Sequence, residues 1–140
     1  MHHYFIENGK RYLYDTVCGG ICEVTRLQKE MLPYVQRLER PLPDVCPTTL
    51  RYSLAKYEVS AINEAYDSII SLIADGMISV DDERRGADTV YVKLDASSLQ
   101  IALRAAAVAL KLMPSVETIV PICEEENVAH KFSQLVAEML

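Results

Sequence analysis

The chain has 140 residues, of which half are apolar and about a quarter are charged. This composition is typical of a globular protein with a substantial core, and it argues against global disorder. The formal net charge of −6 comes without any basic stripe. Nucleic-acid binding is therefore not expected, because phosphate contacts require clustered Lys and Arg.

The start of the chain and its longest apolar stretch carry no targeting or membrane signal. Met1 to Tyr4 lack a basic segment followed by an apolar one, so we expect a cytoplasmic protein without a secretory signal. Residues 99–113 are too few to span a bilayer and are interrupted by charged side chains. The acidic runs at 81–83 and 124–126 are typical of a solvated surface, with attraction to a basic partner as the alternative.

Two turns divide the first 25 residues into three predicted strands. Asn8-Gly9 suits a tight hairpin because both residues tolerate a positive φ. A second tight turn at Gly19-Gly20 would place Val17 opposite Cys22. The prediction is a three-stranded antiparallel meander whose third strand leaves one edge without a partner.

Directly opposed residues share a sheet face, so this register also predicts a core side. The side assigned to the core carries Tyr4, Ile6, Leu13, Val17, Cys22 and Val24. The opposite side is more amphipathic and is expected to be partly covered. It carries Phe5, Tyr12, Tyr14, Thr16, Ile21 and Glu23.

Three helices are predicted to follow the meander. Thr25 and Gln28 form a capping-box pattern that opens the first helix, which ends before Pro41. Thr48 is placed to cap a short second helix. A long third helix over 58–75 is stopped by a glycine at position 76. Its apolar arc is wider than one core contact needs, which indicates either a central position or a ligand-binding face.

The composition changes at the polar stretch 81–88, which predicts a linker. Beyond it the pattern predicts a strand over 89–95, a helix capped by Ser97 or Ser98, a strand over 117–122 and a helix over 127–139. The first of these two helices is apolar on almost every side. We therefore expect it to pack on the first part of the chain or on another chain.

The chemistry-bearing residues do not form a complete catalytic or metal-binding set. Cys18 and Cys22 have the first spacing of a radical-SAM iron–sulfur motif, but the third cysteine is missing, and the predicted turn places the two on opposite faces. We interpret these two, Cys46 and Cys123 as structural thiols. No metal or cofactor is expected.

A small enzyme is one alternative interpretation. It would use Asp95, Ser97 and His130 in an α/β pocket. Against it, no glycine-rich phosphate loop follows the predicted strands, and the two serines 97 and 98 are explained as helix caps.

The first 80 residues resemble the peptide-recognition domain of enzymes and accessory proteins that mature ribosomally made peptides, the PqqD-like family. The motifs that carry the resemblance are His3-Tyr-Phe-x3-Gly9-x2-Tyr12-Leu-Tyr-Asp15-x2-Cys-Gly19-Gly-Ile21, Leu54-x2-Tyr57-x4-Ile62-x-Glu64-Ala65 and Leu72-x3-Gly76. The resemblance is greatest to the version that opens radical-SAM peptide maturases, and it implies three strands and three helices in a winged-helix-like fold. Residues 89–140 would then form a separate βαβα segment.

The resemblance also implies a site. In that family the leader peptide of the precursor adds as a strand beside the third strand and rests against the third helix. The implied strand positions are Ile21, Cys22, Glu23 and Val24, and the implied helix positions are Ile62, Ala65, Tyr66 and Ile69. Independently, an unpaired edge beside an apolar helix is what strand addition requires.

The chain departs from a full maturase because residues 81–140 contain only one cysteine. We therefore expect a non-catalytic protein that presents a leader peptide to a separate radical-SAM maturase, with the βαβα segment as a docking or dimerisation surface. The second alternative is a winged-helix DNA-binding regulator, since three helices and a small sheet can be arranged in that way. The net charge speaks against it.

Overall fold

A computed structural model describes residues 2–80 and 88–139 of the chain. The described strands are β1 His2–Glu7, β2 Lys10–Asp15, β3 Ile21–Glu23, β4 Thr89–Lys93 and β5 Thr118–Ile122. The described helices are α1 Arg26–Gln36, α2 Thr48–Ser53, α3 Val59–Ala74, α4 Leu99–Leu112 and α5 Glu126–Met139. The predicted α+β class is confirmed, with an antiparallel sheet in the order β1-β2-β3 and a parallel pair, β4-β5.

The described residues fall into two compact units. The first combines those of Met1–Glu23 with those of Asp82–Leu140, and the second comprises those of Val24–Asp81. The meander thus groups with the C-terminal strands and helices, which is a different division from the predicted boundaries at 80 and 89. The predicted linker at 81–88 lies outside the described residues except for Asp88. No helix in the described part is long and apolar enough to cross a bilayer.

The first hairpin is confirmed. Asn8 and Gly9 have φ values of 52° and 76°, and positive φ at both central residues is what the twist-matched tight turn requires. The register follows from the turn, with Glu7 opposite Lys10.

The prediction of a second tight turn is wrong. Strand β2 ends at Asp15, and β3 pairs with it through Leu13 and Cys22 rather than through Val17 and Cys22. The cause is the Asp15 carboxylate, whose Oδ1 accepts hydrogen bonds from the backbone N–H of Val17 at 2.9 Å and of Cys18 at 3.3 Å. This local side-chain turn competes with the strand ladder and leaves a longer loop over 16–20.

The predicted assignment of the core side of the meander is also wrong. The side predicted to be amphipathic supplies Phe5 and Tyr14 to the core of the first unit, where they are 6 % and 0 % exposed. On the side predicted to be the core, Leu13 is fully buried but Ile6 is 62 % exposed. The remaining members of that core come from the C-terminal part: Val90, Val92, Leu94, Ala102, Ala105, Ala106, Ala109, Met113, Val116, Phe132 and Val136.

Helix α4 packs on the first part of the chain, as its all-round apolar sequence predicts. It contacts β1, β4 and α5. Its fully buried residues are alanines at positions 102, 105, 106 and 109. Small side chains at these positions let other elements approach closely, so this single helix lies between the meander and the C-terminal elements of its unit.

The helix ends follow local signals with two corrections. The capping box of Thr25 and Gln28 is present. Position 76 is a glycine with φ 72° that ends α3 with the paired hydrogen bonds of a Schellman motif. Thr48 does not cap α2, because Pro47 occupies the N-cap position. Ser98 is the N-cap residue of α4, but its side chain makes no capping hydrogen bond.

Candidate functional site

Four strand edges have no neighbouring strand among residues 2–80 and 88–139. They belong to β1, β3, β4 and β5, since β2 is paired on both sides. The outer edge of β4 is used by the loop over 16–20, because the N–H of Lys93 donates to the carbonyl of Gly19 at 2.8 Å. Which of the other three can accept another strand depends on the direction of the backbone groups.

The backbone of β3 presents two residues outward. Glu7 and Lys10 close the tight first hairpin as a hydrogen-bonded pair. Alternate β2 residues therefore direct their backbone N–H and C=O groups to β1, and the others, including Leu13, direct theirs to β3. The backbone N–H and C=O of Cys22 therefore point to β2, where Leu13 lies opposite. The N–H and C=O groups of Ile21 and Glu23 then point away from β2. Within the described residues, neither backbone makes a hydrogen bond on this side.

Strand β5 presents a weaker edge. The N–H of Thr118 donates to Asp88 at 3.0 Å and the carbonyl of Ile122 accepts from Leu94 at 3.1 Å. Alternate β5 residues therefore face β4, and Ile119 and Pro121 face outward. Proline has no N–H, so this edge lacks one of its two outward donors, a common way to block strand addition.

Strand β1 makes contacts with other parts of its unit. Its outward residues are His2, Tyr4 and Ile6. The His2 Nε2 lies 3.2 Å from an oxygen of the buried Asp15 carboxylate. Both His2 and Tyr4 also take part in further interactions, and α4 packs on this strand. In the described part of the chain, the outward backbone groups of β3 are complete and make no hydrogen bond.

The side chains of β3 suit binding better than catalysis. Burial raises the pKa of the Cys22 thiol to about 11, with smaller contributions from Cys18 and Asp15. This thiol is therefore protonated at neutral pH and is a poor nucleophile. Burial likewise raises the pKa of Tyr4 to about 12. Glu23 is exposed, and no ion pair of Glu23 is found among the described residues.

The eight predicted site residues are divided between the two units. Ile21, Cys22 and Glu23 form β3 in the first unit, whereas Val24 belongs to the second unit and is 4 % exposed. The predicted helix residues share one face of α3 in the second unit and are at most 7 % exposed. They are Ile62, Ala65, Tyr66 and Ile69. The hydroxyl of Tyr66 donates to the carbonyl of Pro43 at 2.5 Å. The role of these four helix residues as a peptide-binding wall stays a prediction.

The sequence analysis missed two features: which β3 residues direct their backbone groups outward, and the missing N–H donor of Pro121 in β5. An aspartate inside a predicted strand, two and three residues before backbone N–H groups that its carboxylate can accept from, is a signal for the turn that Asp15 makes. A proline at position 121 inside a β-rich run is a signal for an edge strand. The first signal shortens β2 and so changes its register with β3, and the second marks β5 as an edge strand that lacks one donor.

The residues of the alternative enzyme site have structural roles. Asp95 Oδ1 accepts hydrogen bonds from the Ser97 hydroxyl at 2.6 Å and from the Ser97 N–H at 2.9 Å. The Ser97 hydroxyl is the main cause that lowers the pKa of the Asp95 carboxyl. These bonds fix the turn into α4. His130 is exposed on α5.

Other chemistry finds little support in the described residues. They contain no group of three His, Cys, Asp or Glu side chains placed to hold a metal ion. All four cysteines are free thiols, and only Cys46 is buried. A cavity of about 180 Å³ lies within the second unit, smaller than the roughly 300–1,000 Å³ of typical ligand pockets. It is lined by Tyr34, Arg37, Leu38, Thr49, Leu50 and Ser53.

Comparison of the sequence with family models, curated proteins and solved structures finds no match. The function is therefore inferred from the geometry of the strand edges and the chemistry of their side chains, together with the sequence resemblance over residues 1–80.

Proposed function

We propose that this chain is a non-catalytic recognition protein that binds an extended peptide by adding it as a strand to β3. One observation carries the proposal: Ile21 and Glu23 each direct an N–H and a C=O outward, with no hydrogen bond to either backbone on that side in the described part of the chain. In strand addition, such main-chain groups supply affinity and the neighbouring side chains supply selectivity.

The proposed ligand is the leader peptide of a ribosomally made precursor, and the proposed partner is a radical-SAM maturase. The sequence resemblance over residues 1–80 supports both. Residues 81–140 contain Cys123 as their only cysteine, too few for a three-cysteine iron–sulfur motif, so the chemistry would belong to the partner enzyme. Within this proposal the protein works in the cytoplasm, and the βαβα segment serves for docking or dimerisation.

An amide-shift titration tests the strand addition. The full isotope-labelled chain is titrated with a candidate leader peptide and, as a control, with a scrambled peptide of the same composition. We expect the N–H signals of Ile21 and Glu23 to shift and to become protected from hydrogen exchange. The Cys22 N–H is an internal reference, because it already faces β2. Saturable binding that leaves Ile21 and Glu23 unchanged would contradict the proposal.

A pair of substitutions separates the main chain from the side chain. Glu23→Ala removes the carboxylate and keeps the N–H, whereas Glu23→Pro removes both. The loss of one hydrogen bond, about 0.5–1.5 kcal/mol, lowers peptide affinity roughly 2- to 10-fold from Ala to Pro. Circular dichroism of both variants checks that the fold is retained, and equal affinity in the two would count against an edge-bound peptide.

The DNA-binding alternative is disfavoured by the composition of α3. A winged-helix regulator places a helix in the major groove, between two phosphate backbones, yet α3 contains no Lys or Arg and carries Glu64 and Asp67. A gel shift with duplex DNA at several salt concentrations tests this point. Salt-dependent retention of the duplex would revive the alternative.

A further inference from the structure

The two outward residues of β3 differ in chemistry. Ile21 is half-buried and packs against the core of the first unit, whereas Glu23 is exposed at the end of the strand. Residues two positions apart on a strand direct their side chains to the same face. An added peptide would therefore meet the apolar side chain of Ile21 and the carboxylate of Glu23 on one face of the sheet. The side chain of Cys22, between them in sequence, lies on the other face.

The Glu23 carboxylate is available to an incoming residue. Its partner on β2 is the uncharged Tyr12. On the sheet face that Tyr12 shares, the nearest cation of β2 is Lys10, two residues away, and Lys10 stands directly opposite Glu7. The adjacent Arg11 directs its side chain to the other face. No ion pair or hydrogen bond of the Glu23 side chain is found in residues 2–80 and 88–139.

Strand pairing brings a peptide residue close to this carboxylate. Ile21 and Glu23 each direct both an N–H and a C=O outward. In an antiparallel arrangement, the peptide residue opposite each of them would therefore form a hydrogen-bonded pair, with the two Cα atoms about 5.5 Å apart. Opposite charges in such cross-strand pairs are favourable and like charges are unfavourable. The net charge of −6 adds a longer-range attraction for cationic peptides.

We infer that β3 selects peptides in which a Lys or Arg faces Glu23 and an apolar residue, two positions away, faces Ile21. In an antiparallel strand the order along the peptide is basic, any residue, apolar. This inference rests on the proposed strand addition and adds the chemical class of the ligand to it. Glu23 acts here as a specificity-determining residue.

Selection from a peptide library tests the inference without a known ligand. Random 12-residue peptides displayed on phage are selected on the full chain, on Glu23→Lys and on Glu126→Lys. Glu126 is an exposed residue of α5, so the last variant makes the same charge change away from β3. We expect basic–x–apolar triplets to be enriched by the unmodified chain and by Glu126→Lys. Glu23→Lys is expected to enrich acidic–x–apolar triplets instead.

A binding measurement then gives the size of the effect. One selected peptide and its Lys→Glu counterpart are compared by fluorescence anisotropy on the unmodified chain and on Glu23→Gln. The Lys peptide is expected to bind about 1.5- to 5-fold more tightly to the unmodified chain, and the difference is expected to disappear on Glu23→Gln.

The outcomes separate this inference from the proposed function. Peptides that shift the Ile21 and Glu23 amides but show no charge preference would overturn the inference and leave strand addition standing. A basic preference that Glu126→Lys abolishes as fully as Glu23→Lys would also overturn it, since net charge would then be the cause. Selection of no peptide that reaches these amides would overturn both.

Discussion

Gly19 lies where the loop over 16–20 passes against the backbone of β4. Its φ is 80°, and a Cβ at this position would lie 3.1 Å from the backbone C and O of Tyr91. Backbone atoms in a paired strand cannot move aside as a flexible side chain can. A glycine is therefore required here for two reasons, the left-handed conformation and the close approach.

Gly19→Ala is expected to destabilise the protein by about 2–5 kcal/mol, because about 1–2 kcal/mol of left-handed strain is added to an overpacking cost of about 1–3 kcal/mol. The matched control is Gly9→Ala. Gly9 has a similar φ of 76°, and no atom would lie within 4 Å of its added Cβ. Urea unfolding of both variants measures the difference. Equal losses of stability would mean that contact with Tyr91 contributes nothing.

The burial of the Cys22 thiol predicts that the stability of the protein depends on pH. Burial raises its pKa from an ordinary value of 9.0 to about 11, so folding favours the protonated thiol. This contribution to stability is fully present below pH 9 and is lost as the pH rises through 11. The free energy of unfolding should therefore fall less between pH 9 and 11 in Cys22→Ser than in the unmodified chain.

Thiolate absorbance near 240 nm provides a direct check on Cys22. The difference between the unmodified chain and Cys22→Ser should titrate with a midpoint near pH 11 in the folded state. In denaturant, where burial is removed, the midpoint should return towards 9.0. A folded-state midpoint near 9 would show that the thiol is in contact with water.

At the scale of elements, local signals explain what the sequence could predict. The ten described strands and helices follow from periodicity and from turn or cap residues such as Asn8-Gly9 and the glycine at position 76. The second turn could not be read from its two glycines, because the Asp15 side chain ends β2 earlier. The two predicted site segments, β3 and α3, are also correct as elements, but apolar periodicity does not reveal which element buries which face.

The capping box of α1 predicts a measurable helix contribution. The Gln28 N–H donates to the Thr25 hydroxyl at 3.1 Å, and the Thr25 N–H donates to the Gln28 side chain at 2.7 Å. Thr25→Ala removes the hydroxyl acceptor and is expected to cost about 0.5–2 kcal/mol. Thr25→Ser keeps the acceptor and should retain most of the stability in the same urea unfolding experiment. Equal losses in the two variants would assign the effect to the lost methyl group.

At the scale of the whole molecule, the main feature is a core built from both ends of the sequence. Phe5 and Tyr14 of the meander share a cluster with Val90 of β4 and Phe132 of α5. The Tyr14 hydroxyl donates to the carbonyl of Tyr91 at 2.6 Å, and this hydrogen bond also connects β2 with β4. The edge strand β3 is held in the same unit through its pairing with β2. Its position therefore depends on residues more than 60 positions later in the chain.

This shared core makes Phe132 a test of how the meander is supported. Phe132 is fully buried, and Phe132→Ala is expected to cost about 3–5 kcal/mol because it leaves a cavity. Hydrogen exchange should show lower protection of the β2 amides together with those of α5, since both elements contribute to one core. Lys131→Ala, at the adjacent exposed position, is the control and should change neither. If the β2 amides keep their protection in Phe132→Ala while α5 loses it, the meander is stable without the C-terminal segment, and the predicted 1–80 domain is the better description.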